Sequence, residues 1–263
     1  MLLLTLLLYG LISYILLPSA WLHYEHEPAL EAAPKTTESS LGFSGDPLNV
    51  ALVGTKEELL RAMLETGWQP SDRVTLRSSV RIATSILLNR SYPQAPMSNL
   101  YLWGRQQDLA FQEPSGKSPR KRHHVRFWES QLHSRDGRPL WIGAATYDEG
   151  IGFDQFTARL THHIAPDVDA ERDALFADLV RQKQLTELHQ VTGVGLNIAG
   201  RNAQGDWYYT DGELTVGILS PGNVPVSSPP QRLANPAAVD WKNQGWQFLR
   251  SLMLSTYPQS SVP

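Results

Sequence analysis

Three patterns of hydrophobic and polar residues succeed one another along this chain, and each change of pattern marks a part. From Leu2 to Leu22 no position is charged. Taken as a helix, about 21 residues at 1.5 Å each span roughly 31 Å, close to the hydrocarbon thickness of a bilayer. Trp21 and Tyr24 fall where an interfacial belt would lie. The run has no basic n-region, and Pro18 in "PSA" makes a poor cleavage pattern. It therefore predicts a retained anchor rather than a removed signal peptide. Residues 1–23 are expected to form a single-pass transmembrane helix in the inner membrane. The first Lys or Arg after it is Lys35, so the flank gives the cytoplasm nothing to retain, and the globular part is expected outside it.

From there the pattern turns polar, with Pro28, Pro34 and a Ser/Thr cluster, and residues 24–45 read as a juxtamembrane linker. "LNVALVG" (Leu48 to Gly54) is a short buried strand. The helical period follows in "TKEELLRAMLETGW", where Thr55 and Glu58 make a capping box and Gly67 ends a Leu59, Met63, Leu64 stripe. Thr75 to Asn89 predicts a second amphipathic helix. The period of two then takes over. "LYLWG" and "LAFQ" read as one hairpin, "HHVRFWES" and "RPLWIGAATYD" as another around "SRDGR", and "ARLTHHI" as a third strand. "DVDAERDALFADLVRQK" is a helix entered at Pro166, with acids in its first turns. "LTELHQVTG" and "WYYTDGELTVGILS" read as two more strands. "PGNVPVSSPPQ" is a loop, and Ala237 to Leu254 a last helix with Trp246, Leu249 and Met253 inward. The sum is an α+β chain: the transmembrane helix, then one globular domain (46–221) with a mostly antiparallel sheet and helices packed on one face. Residues 222–263 form a Pro/Ser-rich loop and a C-terminal helix.

Composition narrows the chemistry. Hydrophobic content of 41% and charged content of 19% exclude wholesale disorder. A net charge of -3 gives no global basic field, which argues against nucleic acid as a partner. There is no cysteine, so disulfides, thiolate nucleophiles and cysteine zinc sites are excluded. Any metal would be held by His, Asp, Glu or backbone oxygens, and nothing in the sequence specifies one or names a cofactor. "KSPRKRHH" (Lys117 to His124) is a local basic cluster, a solvated loop unless it touches phosphate or anionic headgroups. "GVGLN" lacks the lysine and glycine spacing of a phosphate loop, and there is no G-x-S-x-G.

Two histidine doublets remain, His123 with His124 and His162 with His163. On strands, neighbouring side chains point to opposite faces, so each doublet can offer one imidazole to a shared site unless a bulge intervenes. If "PLWIGAATYD" lies between the two doublet strands, the outer strands are parallel and about 10 Å apart. One imidazole from each could then converge over Gly143, Ala144 and Ala145. Asp148, Asp167, Asp169 and Asp173 could supply carboxylates. Arg122, Arg126 and Arg172 could clamp an anion. The plainer alternative is that the imidazoles bond to neighbours, while Asp167, Asp169 and Glu171 stabilise a helix N-terminus.

Several segments in this order, "GDPLNVALVG", "YLWGRQQDLAF", "SPRKRHHVRFW", "WIGAATYDEGIGF", "THHIAPDVDAERD" and "YYTDGE", resemble the LssY C-terminal domain family. The resemblance runs from about Tyr24 to Leu219. It implies a bacterial, membrane-associated setting and carries over no catalytic residues. Two functions follow as expectations. One is a membrane-anchored envelope domain that binds an anionic ligand, such as a lipid headgroup, or an envelope protein through a His/Arg sheet face. The other is a hydrolase of phosphoester or lipid-related substrates, metal-assisted or not, using one histidine with Asp167 or Asp169.

Overall fold

A computed structural model describes residues 2–17, 19, 33–71, 97–116, 121–153, 160–192, 199–221, 229–233, 235 and 237–256. The expected helix at residues 75–89, the "GVGLN" segment, residues 117–120 of the basic cluster and residues 222–228 of the Pro/Ser-rich loop lie outside them. The chain opens with α1 (Leu2–Leu11), continued by a π-helical stretch, Ile12–Leu16. Among the described residues no helix is long and apolar enough to cross a membrane. The expected span is thus not shown: about 15 helical residues cover roughly 23 Å of a layer about 30 Å thick.

The strands that follow are β1 (Thr36–Glu38), β2 (Ser44–Pro47), β3 (Val50–Val53), β4 (Gln69–Pro70), β5 (Tyr101–Leu102), β6 (Arg105–Gln106) and β7 (Leu109–Pro114). The long hairpin is β8 (Arg122–His133) and β9 (Pro139–Phe153), and β10 (Leu160–Ile164) runs back along β9. Next come β11 (Leu185–Thr192), β12 (Ala199–Arg201), β13 (Trp207–Tyr209), β14 (Glu213–Leu219) and β15 (Gln231–Arg232). The helices beyond α1 are α2 (Lys56–Glu65), α3 (Val168–Arg181) and α4 (Ala237–Thr256). The main sheet runs β15-β11-β14-β3-β9-β8-β7-β4, with β10 added to β9. Its pairs are antiparallel except β14 with β3 and β11 with β15. The fold is therefore α+β with mostly antiparallel sheets.

Period-two burial puts a core on each face of this sheet. One gathers Val50, Leu52, Phe111, Val125 and Phe127 under Leu59 and Met63 of α2 and Leu175 and Leu179 of α3. Thr55 caps α2 as expected: its hydroxyl accepts from Glu58 N, and the Glu58 carboxylate accepts from Thr55 N. The other core, with Ala51, Trp128, Ile142, Leu214 and Val216, includes Leu48, Leu100 and Leu102 around the small sheet β2-β1-β5-β6.

Four local expectations change. "LYLWG" does not pair with "LAFQ". Trp103 and Gly104 both take positive φ (53° and 71°), so the chain turns back at once and β5 pairs with β6. β7 pairs with β8 instead. "WYYTDGELTVGILS" is two strands, because Thr210 Oγ1 accepts from Gly212 N and Asp211 Oδ1 from Glu213 N. These side chains take over backbone bonds that a ladder would have used. On α4, Trp246 is buried but Leu249 is 47% exposed. Finally, Gly143, Ala144 and Ala145 leave no room for a ligand. A β-carbon on Gly143 would lie 2.8 Å from both Phe127 and Val50, and both alanines are fully buried in the two cores.

Candidate functional site

The site lies one step further along β9, where its edge changes partner. β3 occupies that edge from Leu140 to Gly143. The buried Asn49 then takes both backbone groups of Ala145: its Nδ2 donates to Ala145 O at 3.0 Å, and its Oδ1 accepts from Ala145 N at 2.9 Å. Asn49 Nδ2 also reaches Val168 O, at 3.0 Å, and so holds the start of α3 against the sheet. Beyond this clasp the edge is taken by β10, which pairs from Asp148 to Phe153.

Pairing sets which side chains meet. Arg122 stands opposite Asp148, His124 opposite Thr146, and Arg126 opposite Ala144. Paired residues share a face, so these form one row. On β10, His163 pairs with Gly150 and Ile164 with Asp148, so Glu149 is the extra residue of a bulge. The bulge reverses the alternation and brings His162 onto the face of His124. One imidazole from each doublet thus reaches a common cavity of about 190 Å³, lined by Arg122, His124, Arg126, Thr146, Asp148 and His162, with Asp46 and Gln204.

Asp148 is the centre of this arrangement. Its Oδ2 lies 3.1 Å from His162 Nδ1, 3.4 Å from His124 Nε2 and 3.9 Å from Arg122 Nη2. Arg122 donates from Nη1 to Gln112 Oε1 at 3.0 Å, and its Nη2 lies 2.7 Å from His162 Nε2. A guanidinium can only donate, so His162 Nε2 is the accepting nitrogen and Nδ1 carries the proton. Arg126 pairs with Asp46 Oδ2 at 3.2 Å and donates to Ser98 O at 3.3 Å. Arg122, His124, Arg126, Thr146 and Asp148 are all buried. Yet Arg122 Nε, Arg126 Nε, His124 Nε2, Thr146 Oγ1 and Asp148 Oδ2 make no hydrogen bond among the described residues.

Burial also sets the charges. It pushes the Asp148 carboxyl up to about 8, against the pull of Arg122 and Arg126 and with help from Asp46 and Asp206. It drives His124 well below the ordinary histidine value, aided by Arg122 and Arg126. Asp46 is raised by burial too, though Arg126 opposes the shift. Near neutral pH the cavity therefore holds two guanidinium cations, a neutral imidazole at His124 and a mostly protonated Asp148. Among the described residues no three His, Asp or Glu are placed to hold a metal ion. Two guanidiniums in the same wall would oppose a cation there.

The remaining candidates lie elsewhere. His123 faces the opposite side of β8, where its Nδ1 bonds Glu171 Oε2 at 2.8 Å beside Tyr147 and Trp68. His163 bonds Asp206 Oδ1, whose other oxygen accepts from Ile164 N at 3.1 Å. A side chain at Gly152 would collide with the His163 ring. Asp167 is the N-cap of α3, accepting from Ala170 N, and it pairs with Arg250 of α4 at 2.7 Å. Asp169 joins Arg172 and Asp211 in a separate buried network, with the exposed Asp173 bonded to Arg172 at its rim. Sequence reasoning missed Asp46, Gln112, Thr146 and Gln204. Alternation along β7 and β9 would have found Gln112 and Thr146 once their register with β8 was known. Asp46 and Gln204 arrive by long-range packing, with no local signal.

A family model described as the LssY C-terminus matches residues 30–214. No curated protein and no solved structure matches the chain. Every cavity residue named above falls within the matched span, which covers well over half of the chain. The chain belongs to the LssY C-terminus family.

Proposed function

We propose that this domain binds a small anionic group in the cavity between β8, β9 and β10, held at a membrane by the apolar N-terminal run. The observation that carries the reading is the pair of buried guanidiniums, Arg122 and Arg126, each with an Nε donor unspent among the described residues. Buried donors left unmatched are costly, and an anion is what satisfies cationic ones. The cavity of about 190 Å³ is smaller than the roughly 300–1,000 Å³ of drug-sized sites, so it suits a headgroup or a small ion. The natural sources are a lipid headgroup or another anionic component of the envelope.

Ligand that binds only the folded state raises the unfolding temperature by mass action. Sodium phosphate, added at constant ionic strength, should raise the Tm of the full chain and leave Arg122→Gln unmoved. Far-ultraviolet dichroism would show that the variant folds. No rise with wild type, or an equal rise with the variant, would overturn the proposal. For location, a reporter fused after Pro263 should be active outside the cytoplasm, and cytoplasmic activity would overturn that part.

A hydrolytic reading is favoured by one observation: two imidazoles lie within 3.4 Å of a single carboxyl oxygen. Neutral His124 would take a proton from water as it attacks phosphorus. Asp148 would give its proton to the leaving alcohol as the ester P–O bond breaks. Release of p-nitrophenol from its phosphate, lost in both His124→Ala and Asp148→Asn, would support this. Absence of turnover by wild type would end it.

A further inference from the structure

An ordinary surface helix turns its apolar face to the core, and α4 is docked largely the other way round. Polar side chains hold it to the domain. Lys242 pairs with Glu213, Asn243 donates to Gln190 Oε1 at 2.9 Å, and Arg250 pairs with Asp167 at 2.7 Å. Trp246 is turned inward with them, its ring centroid 6.3 Å from that of Tyr209. At about 100° per residue, Trp241, Phe248 and Leu252 fall within about 40° of one another, and Arg250 lies opposite Trp241. Trp241 is 68% exposed, Phe248 66% and Leu252 50%, with Leu249 at the margin of the stripe. We infer that this outward stripe is an interaction surface for the uncharged interface of a lipid bilayer, a membrane contact separate from the N-terminal run.

Size, charge and side-chain type choose that occupant. From Trp241 to Leu252 the stripe runs about 17 Å on a helix about 10 Å wide, well short of the roughly 800 Å² that each partner of a stable dimer buries. An interfacial helix meets no such threshold, because its binding grows with each apolar side chain inserted. Gln244, Gln247 and Ser251 border the stripe, and no exposed position from Trp241 to Leu252 is charged. A partner read through ion pairs would find none to make there. Trp, Phe and Leu are the side chains that interfacial helices insert. Most such helices also carry Lys and Arg to meet anionic lipid. Here Lys242 and Arg250 are engaged by Glu213 and Asp167. The contact is therefore apolar, and it should depend on neither lipid charge nor salt. α4 lies beyond the span that the family model matches, and its surface does not draw on the anion cavity. It shares with the reading above only the membrane.

The chain has no cysteine, so Phe248→Cys accepts a single nitrobenzoxadiazole dye at an exposed position. Arg135→Cys, in the turn between β8 and β9, is the reference. That turn lies at the end of β14 away from Glu213, since Arg138 donates to Leu219 O at 2.8 Å. The full chain is mixed with phosphatidylcholine vesicles containing a spin-labelled lipid that quenches the dye near the headgroups. The label at 248 should be quenched and the label at 135 should not. Adding phosphatidylglycerol or raising the salt should change neither. Trp241→Ser combined with Leu252→Ser removes two large apolar side chains, and should cut the lipid-contacting fraction of the 248 label by about tenfold or more. Flotation of that variant should continue through the N-terminal run. A floating chain whose 248 label is quenched no more than its 135 label would overturn the inference and leave the anchor standing. Quenching that needs phosphatidylglycerol and vanishes in high salt would overturn it in favour of a charged contact. A 248 label that becomes shielded without vesicles, as protein concentration rises, would overturn it in favour of a second copy of the chain. A chain that does not float at all would overturn both this surface and the membrane location proposed above.

Discussion

Arg122 and Arg172 are both buried beside carboxylates, and they spend their donors differently. Arg172 of α3 makes a two-pronged bond to Asp211 at 2.8 and 2.9 Å, and its Nε donates to Asp173 at 2.9 Å. Asp169 alongside accepts from Thr210 Oγ1 at 2.7 Å and from Asp211 N at 2.6 Å. That network is closed: every nitrogen of the guanidinium has an acceptor. Arg122 bonds Gln112 and His162, stands 3.9 Å from its nearest acid, and keeps Nε unmatched among the described residues. The difference shows that a buried ion pair is not by itself a sign of function. Donor and acceptor capacity left over at a cavity is the more specific sign.

The largest effect should come from opening the closed network. In Arg172→Met the side-chain volume is roughly kept, while Asp169 and Asp211 stay buried without their cation. Breaking a buried pair on one side costs about 3–5 kcal/mol, and urea unfolding near neutral pH should show a loss of that order. The loss should shrink in acid, where Asp169, raised by burial to about 7, takes a proton. Phosphate binding per folded molecule should be unchanged. A loss under about 1 kcal/mol would mean that the network does not hold the start of α3 in place.

Next in size is the pH dependence of the open site. In the fold the Asp148 carboxyl titrates at about 8, and its ordinary value is 3.8. Between those values the folded protein holds a proton that the unfolded chain releases. Its contribution to stability is complete below 3.8 and is lost as the pH rises through about 8. The limiting slope is about 1.4 kcal/mol per pH unit, and relaxation around the buried charge reduces the total to roughly 2–3 kcal/mol. Urea midpoints across that window should therefore fall with pH in wild type and stay flatter in Asp148→Asn. At alkaline pH the variant should be the more stable of the two. Parallel curves would show that Asp148 is ionised in the fold throughout.

The same contrast explains how much was legible in the sequence. The α+β class, the doublet hairpin, the capping box at Thr55 and the helix over α3 all rest on periodicity and local side-chain bonds, which a sequence displays. That one imidazole per doublet shares a site also follows from alternation. Which imidazole it is does not, because the extra residue Glu149 in β9 reverses the parity of β10, and no local feature announces it. The acids near the second doublet in sequence proved distant in role: Asp167 caps a helix and Asp169 serves Arg172. Asp148 became the hub through strand pairing, and Asp46 came in from another sheet.

Between the closed and open clusters stands His123 with Glu171, and it should give the smallest effect. The bond is 2.8 Å long, the His123 side chain is 19% exposed, and Glu171 Oε1 has no hydrogen bond among the described residues. Burial alone would lower the His123 pKa. The hydrogen bond and charge of Glu171, with the charges of Glu113 and Asp178, outweigh it and hold it above 6.5. Glu171 is itself raised by burial. Both groups bind protons more tightly in the fold, so both contributions fade as the pH rises through their folded values. Glu171→Gln keeps a bonding partner but removes the charge that opposes desolvation. The His123 titration followed by NMR should then drop to below 6.5, the side that burial favours. Because one end of the pair meets solvent and a buried carboxylate is removed with it, stability should change by no more than about 1 kcal/mol. A loss as large as that of Arg172→Met would place this pair with the closed network, and partial exposure would no longer separate the two kinds of cluster.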